Sequence, residues 1–145
     1  IYAQALVHLT PAPMTPGAQT ESTDYFTRHN LTVNQQRDGT GYALSALTAG
    51  QKKDLVLSNR LRTMPGRVAI YGWHRTNGKP IQPLSTVHGQ GYADYSHGIR
   101  LISATAFVNG KPRALADILQ DPGISAAVSS EGPITLSNQL LASLQ

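Results

Sequence analysis

Between residues 23 and 38 the apolar side chains recur at helical spacing. Phe26, Asn30 and Val33 fall on one stripe, with Tyr25 and His29 beside it. Ser22 or Thr23 suits the cap of such a helix, Asp24 its first turn, and Asp38-Gly39 its stop. The chain ahead of it reads differently. Ile1-Tyr2-Ala3-Gln4-Ala5-Leu6-Val7 looks like the tail of a helix with no cap before it. Pro11, Pro13 and Pro16 make 9–22 an extended connector, since proline is excluded from helix interiors. Gly39-Thr40-Gly41 is a turn, and a short helical stretch is expected around 43–47.

Further along the period shortens. Leu55-Val56-Leu57 and Arg67-Val68-Ala69-Ile70-Tyr71-Gly72-Trp73 predict strands, separated by Met64-Pro65-Gly66. Asn77-Gly78 leads into 81–84, and Asn109-Gly110 joins Ala106-Phe107-Val108 to 111–114. Such pairs accept the positive φ angles of tight hairpin turns. Ile99-Arg100-Leu101-Ile102-Ser103 predicts one more strand. Short helices are expected over 115–120, 124–128 and 137–144. The order predicts an α+β fold, a small antiparallel sheet built from two hairpins with flanking short helices.

A chain of 145 residues fits a single domain with its own core, here 1–22 as tail and connector and 23–145 as the α+β body. No apolar run approaches the roughly 18 residues that span a bilayer, so no membrane span is expected. The absence of cysteine excludes disulfides, thiolate zinc sites and a cysteine nucleophile from this chain. The first residue is isoleucine, which suggests a processed chain that has lost a signal peptide or a longer N-terminal region.

Charge changes the picture. Residues 52–113 carry ten lysines and arginines against Asp54 and Asp94, a local balance of +8 in a chain of net +4. That asymmetry favours an anionic polymer or a carboxylate-bearing ligand, with a solvated positive face as the competing explanation. Nucleic acid is not expected, because no basic stripe is interleaved with aromatics and no familiar motif is present.

The chemistry-bearing residues concentrate between Tyr71 and Arg100. His74 lies at the end of one strand, His88 in the following loop, and His97 at the start of the next strand. Trp73, Tyr92, Asp94, Tyr95, Ser96 and Arg100 stand among them. Three readings compete. As a metal site, His74, His88, His97 and Asp94 offer imidazole and carboxylate ligands, although their spacing matches no zinc motif, and both metal and cofactor stay unknown. As an acid–base site, Asp94 orients His97 or His88, which activates Ser96, Ser85 or a water. As packing, Trp73 and the tyrosines are core or rim residues and the histidines bond loop backbone. Arg100 either clamps a substrate carboxylate or pairs with Asp94. Trp73, Tyr95 and Ser96 are candidate substrate contacts beside it. Lys52-Lys53-Asp54 reads as a solvated turn, with an anion-binding turn as the alternative.

The runs Tyr71-Gly72-Trp73-His74, Ile81-Gln82-Pro83-Leu84 and Tyr92-Ala93-Asp94-Tyr95-Ser96-His97-Gly98-Ile99-Arg100-Leu101 resemble a group of uncharacterised bacterial proteins with export signals. The likeness extends from the first helix to Glu131-Gly132-Pro133. It implies a secreted or periplasmic protein and supplies no activity. Members of that group carry extra sequence ahead of the part matching Ile1, which implies a C-terminal piece that meets the N-terminal part of its own precursor. A cysteine–histidine amidase with its cysteine upstream is one consequence. The expectation is therefore a hydrolase-like domain of the bacterial envelope, cleaving an amide or ester of a cell-wall or other anionic polymer. The alternative is a non-catalytic domain that holds such a polymer, or a protein, on a basic, aromatic surface.

Overall fold

The structure, a computed structural model, describes residues 1–135. Strand β1 (Val7–His8) lies parallel to β2 (Thr48–Ala49), and helix α1 (Thr23–Asp38) connects them. The main sheet has the order β5-β4-β3-β6, with β3 Lys53–Val56, β4 Ala69–His74, β5 Pro80–Ser85 and β6 His97–Gly98. Strand β4 is antiparallel to both β3 and β5, whereas β6 runs parallel to β3. A separate hairpin of β7 (Thr105–Val108) and β8 (Lys111–Ala114) leads into α2 (Leu115–Gln120). The α+β class is as expected, and among the described residues no helix is long and apolar enough to cross a membrane.

Local chemistry explains most boundaries. The Ser22 side chain accepts from the Tyr25 amide at 3.4 Å, and the helix ends at Gly39. The β4–β5 and β7–β8 turns use Gly78 at φ 79°, Asn109 at φ 51° and Gly110 at φ 77°, the left-handed angles that Asn-Gly pairs tolerate. Gly98 is needed for a different reason. A Cβ there would sit 2.8 Å from the Lys52 Cβ, so β6 can lie against this segment only without a side chain.

Several expectations need correction. The opening segment forms a 3₁₀ turn over Tyr2–Gln4 and then β1, not a helix tail. Ala5, Val7 and Leu9 are buried while Leu6 and His8 are exposed, so the apolar period there is two. No helix forms at 43–47, a stretch too short to overcome the cost of nucleation. The run Ile99-Arg100-Leu101-Ile102-Ser103 leaves the sheet after Gly98, because Arg100 turns to donate to the Thr48 carbonyl at 2.8 Å. The two hairpins belong to different sheets, and the main one contains a parallel pair. On α1 it is His29, and not Asn30, that is buried. The segment 124–128 narrows to a 3₁₀ turn at Ser125–Ala127, and the helix expected at 137–144 lies outside the described residues.

Packing divides into two parts. Leu61, Ala69, Leu119 and Ile134 form an apolar core at the end of the sheet nearest α2, with Val56, Leu57 and Leu84 against it. Ser58 and Asn59 both donate to the Glu131 carboxylate, at 2.7 and 2.8 Å, and hold the chain leading to Ile134. The other part is aromatic. Tyr95 meets His29 of α1 at 5.1 Å and Trp73 of β4 at 6.4 Å, edge to face.

Candidate functional site

Lys53 and Asp54 are neighbours on β3 and point to opposite faces of the sheet. Each leads to a different carboxylate–histidine group.

On the Lys53 side, Asp94 begins a tight turn whose ends are joined by His97 N–H donating to the Asp94 carbonyl at 3.0 Å. The Asp94 carboxylate accepts from the Ser96 amide at 2.8 Å, from the Ser96 hydroxyl, and from the Tyr92 hydroxyl at 3.2 Å. Lys53 Nζ lies 3.4 Å away, and His97 Nδ1 3.1 Å away. Burial works to raise the Asp94 pKa, but the bonds from His97 and Ser96 and the Lys53 charge hold it well below the usual carboxylate range. The Asp94 backbone nitrogen lies 2.9 Å from the same His97 Nδ1, so the ring is held against the turn. Its other ring nitrogen, Nε2, is buried and has no partner among the described residues. His88 stacks on Tyr92 at 4.2 Å and stands edge-on to His97 at 5.8 Å. Burial and the His97 charge lower its pKa.

On the Asp54 side the sheet is bent by a bulge. The β4–β5 register shifts between Ile70 and Gly72, Gly72 takes φ 122°, and Trp73 takes φ 56°, a costly angle for a tryptophan. The bulge reverses the alternation that follows it. Trp73 turns to the buried side, where Lys53 Nζ lies 5.7 Å from its ring, and His74 joins the face of Tyr71 and Asp54. His74 packs edge-on to Tyr71 at 5.3 Å and stacks on Tyr2 at 4.4 Å. Burial raises the Asp54 pKa against the opposing pull of Arg100 and His74, and burial lowers that of His74 against the pull of Asp54. Among the described residues neither side chain makes a hydrogen bond or ion pair.

Asp54, Tyr71, His74 and Arg100 line one end of a cavity of about 1310 Å³, whose other end is formed by Leu57, Leu115 and Leu119. The charged groups are therefore at the edge of an apolar space. Arg100 has a buried Nε without a partner among the described residues.

The residues singled out in the sequence thus divide. Asp94, Ser96, His97 and His88 come together, with the Ser96 hydroxyl committed to Asp94. His74 and Arg100 gather elsewhere, and Arg100 does not pair with Asp94. Trp73 and Tyr95 are core residues at 7% and 6% exposure, and the Tyr95 hydroxyl donates to Met14 O at 3.3 Å and accepts from its amide at 2.8 Å. They offer no surface to a substrate. No group of three or more His, Asp or Glu side chains among the described residues is arranged to hold a metal. Lys52-Lys53-Asp54 is not a solvated turn: Lys53 is buried, and Lys52 Nζ donates to the Tyr95 carbonyl at 2.6 Å. Asp54 is the residue that sequence reasoning passes over. Its signal is present, since it is one of two acids among ten basic residues and directly precedes an apolar strand.

No family model, curated protein or solved structure matches this chain.

Proposed function

We propose that the domain is hydrolase-like and acts on an ester or amide bond of an anionic substrate, with His74 as general base, Asp54 as its carboxylate partner and Arg100 as the substrate anchor. One observation carries the reading. The Gly72-Trp73 bulge aims His74 onto the face of Asp54, at the mouth of the cavity, where the two pKa values are displaced in opposite directions. A histidine held neutral can take a proton from water as the water oxygen attacks the carbonyl carbon. The resulting imidazolium returns that proton to the departing alcohol or amine as the carbon–heteroatom bond breaks. Arg100 offers charge-assisted hydrogen bonds to an anionic group on the substrate. The secreted or periplasmic setting belongs to the same proposal and rests on the resemblance of the Tyr71–His74 and Tyr92–Leu101 runs.

The test is hydrolysis of p-nitrophenyl acyl esters by the full chain. Saturable turnover is expected, with His74→Gln lowering it by about 10²–10⁴-fold, the usual contribution of a general base. Turnover that is indistinguishable from buffer, or unchanged in His74→Gln, overturns the assignment. A second reading, a binding domain for an anionic polymer, is favoured by the exposure of Arg60, Arg62, Arg67, Arg75 and Lys79. Salt-sensitive binding of such a polymer with no ester turnover would select it.

A further inference from the structure

The cavity beside His74 is too apolar and too large to be explained by the scissile bond alone. At about 1310 Å³ it exceeds the roughly 300–1,000 Å³ of ordinary small-ligand pockets. Its inner end is walled by Leu57, Leu61, Leu84, Leu115 and Leu119. Its rim carries apolar side chains that the described residues leave uncovered: Leu55 is 58% exposed, Ile102 66% and Leu101 93%. Apolar surface that is concave, contiguous and bare marks a place where something apolar binds.

The charges at the outer end restrict what that is. Beside His74 the cavity is lined by Lys52, Arg100 and Asp54, with Arg67 and Glu131 elsewhere on its wall. Burial disfavours the charged forms of Asp54 and Lys52 alike and holds His74 toward its neutral form, which leaves the Arg100 guanidinium as the charge at this end. The mouth is therefore positive to neutral. A ligand fitting both ends has a hydrocarbon body and an anionic or carbonyl head.

We propose that the cleft holds the acyl chain of a fatty acyl ester or amide, or of its carboxylate product, with the chain running along β3 toward Leu119 and the head between Arg100 and His74. The proposal rests on the hydrolytic reading of the same site and specifies its substrate as one that carries a fatty acyl chain. Strand direction fits this arrangement. From Asp54 to Val56, β3 passes from the charged mouth to the apolar core that Val56 packs against.

The experiment is calorimetric titration of the full chain with dodecanoate below its micelle concentration, with hexanoate and dodecyltrimethylammonium as controls. Dodecanoate should bind one to one, at least tenfold tighter than hexanoate, with the negative heat-capacity change of apolar burial. Arg100→Gln should weaken dodecanoate at least tenfold and leave the cationic amphiphile unaffected. Leu57→Gln should shrink the gap between the two carboxylates, with circular dichroism confirming that the variant is folded. Equal affinity for both chain lengths, or a cationic amphiphile binding as tightly as dodecanoate, overturns the proposal. So does sedimentation that reveals a stable dimer dispersed by Leu101→Asp, because the bare rim would then be an interface between copies. Failures of the two readings are distinguishable. Dodecanoate binding without ester turnover keeps the acyl site and removes the hydrolase. Turnover of acetyl esters without any chain-length dependence removes the acyl site and keeps the hydrolase.

Discussion

Asp94 and Asp54 are reached from adjacent positions of the same strand, and each is accompanied by a histidine, yet their surroundings are opposite. Asp94 is 9% exposed and has a donor for each oxygen, so its charge is stabilised and its imidazole is engaged inside the turn. Asp54 has no donor among the described residues, its charge is disfavoured, and its histidine makes no hydrogen bond among them while lining the same cavity. The contrast separates a polar group that builds the fold from one that the fold leaves uncommitted. A carboxylate near a histidine is not in itself a catalytic arrangement. What matters is whether the remaining lone pairs face protein or ligand.

The largest expected effect tests the structural half. Asp94→Asn removes the charge facing buried Lys53 and breaks the turn, and should cost about 3–5 kcal/mol, as loss of one partner of a buried pair does. Asp94 has a folded pKa below its unfolded one. Its contribution is therefore present above the ordinary carboxylate range and is lost as pH falls through the depressed value. Urea titrations of both proteins should show a steep acid loss in the wild type and a flatter one in the variant. A cost below about 1 kcal/mol would mean that Asp94 is as uncommitted as Asp54.

His29 sharpens the same half. It is 1% exposed, and burial and the Lys52 charge lower its pKa to about 4. A histidine with a depressed folded pKa stabilises the fold above its unfolded pKa, so that contribution should fade between pH 6.5 and about 4. A fall from 6.5 to about 4 corresponds to about 3 kcal/mol of stability lost across that window. His29→Phe preserves the aromatic contact with Tyr95 and should abolish this part of the acid sensitivity. An unchanged pH profile in the variant would assign the loss elsewhere.

The cavity half depends on the bulge. Gly72→Ala places a side chain at φ 122° and should cost about 1–3 kcal/mol, the range for residues held in strained regions. It should also turn His74 away from Asp54. Modification by diethylpyrocarbonate, read by mass spectrometry, should mark His74 and spare His29 and His97 in the wild type, because of these three only His74 presents its ring nitrogens. Equal labelling of all three would erase the distinction between the two histidine environments.

How far these features were legible in the sequence follows from their range. Ser22, Asn77-Gly78 and Asn109-Gly110 act through a few neighbouring backbone groups, and the elements they bound are readable. The strand at Val7 is ambiguous because six of the first seven residues are apolar and fit either period. The partition of Tyr71–Arg100 into two sites is not readable at all, because it depends on the Gly72-Trp73 bulge. Alternation alone puts Trp73 with Tyr71 and His74 on the other face. The bulge reverses both. Asp54 is hidden likewise, since burial by the cavity wall and by segments distant in sequence turns an apparent turn residue into a perturbed one.

The smallest effect is the sharpest test of what Asp54 does. Its folded pKa is raised, so the stability it contributes is present below its ordinary value of 3.8 and is lost as pH rises through the folded value. At neutral pH the ionised carboxylate is therefore a mild burden. Asp54→Asn removes that burden at nearly constant shape and should stabilise the protein at pH 7 by no more than about 0.5 kcal/mol, the scale of a substitution that breaks no structural contact. At pH 3 the two proteins should be indistinguishable, because the wild-type acid is then neutral as well. Opposed signs for two aspartates on either side of one sheet, measured by the same urea titration, would establish the comparison directly. Destabilisation by more than about 1 kcal/mol would instead make Asp54 a second structural carboxylate and leave His74 without its proposed partner.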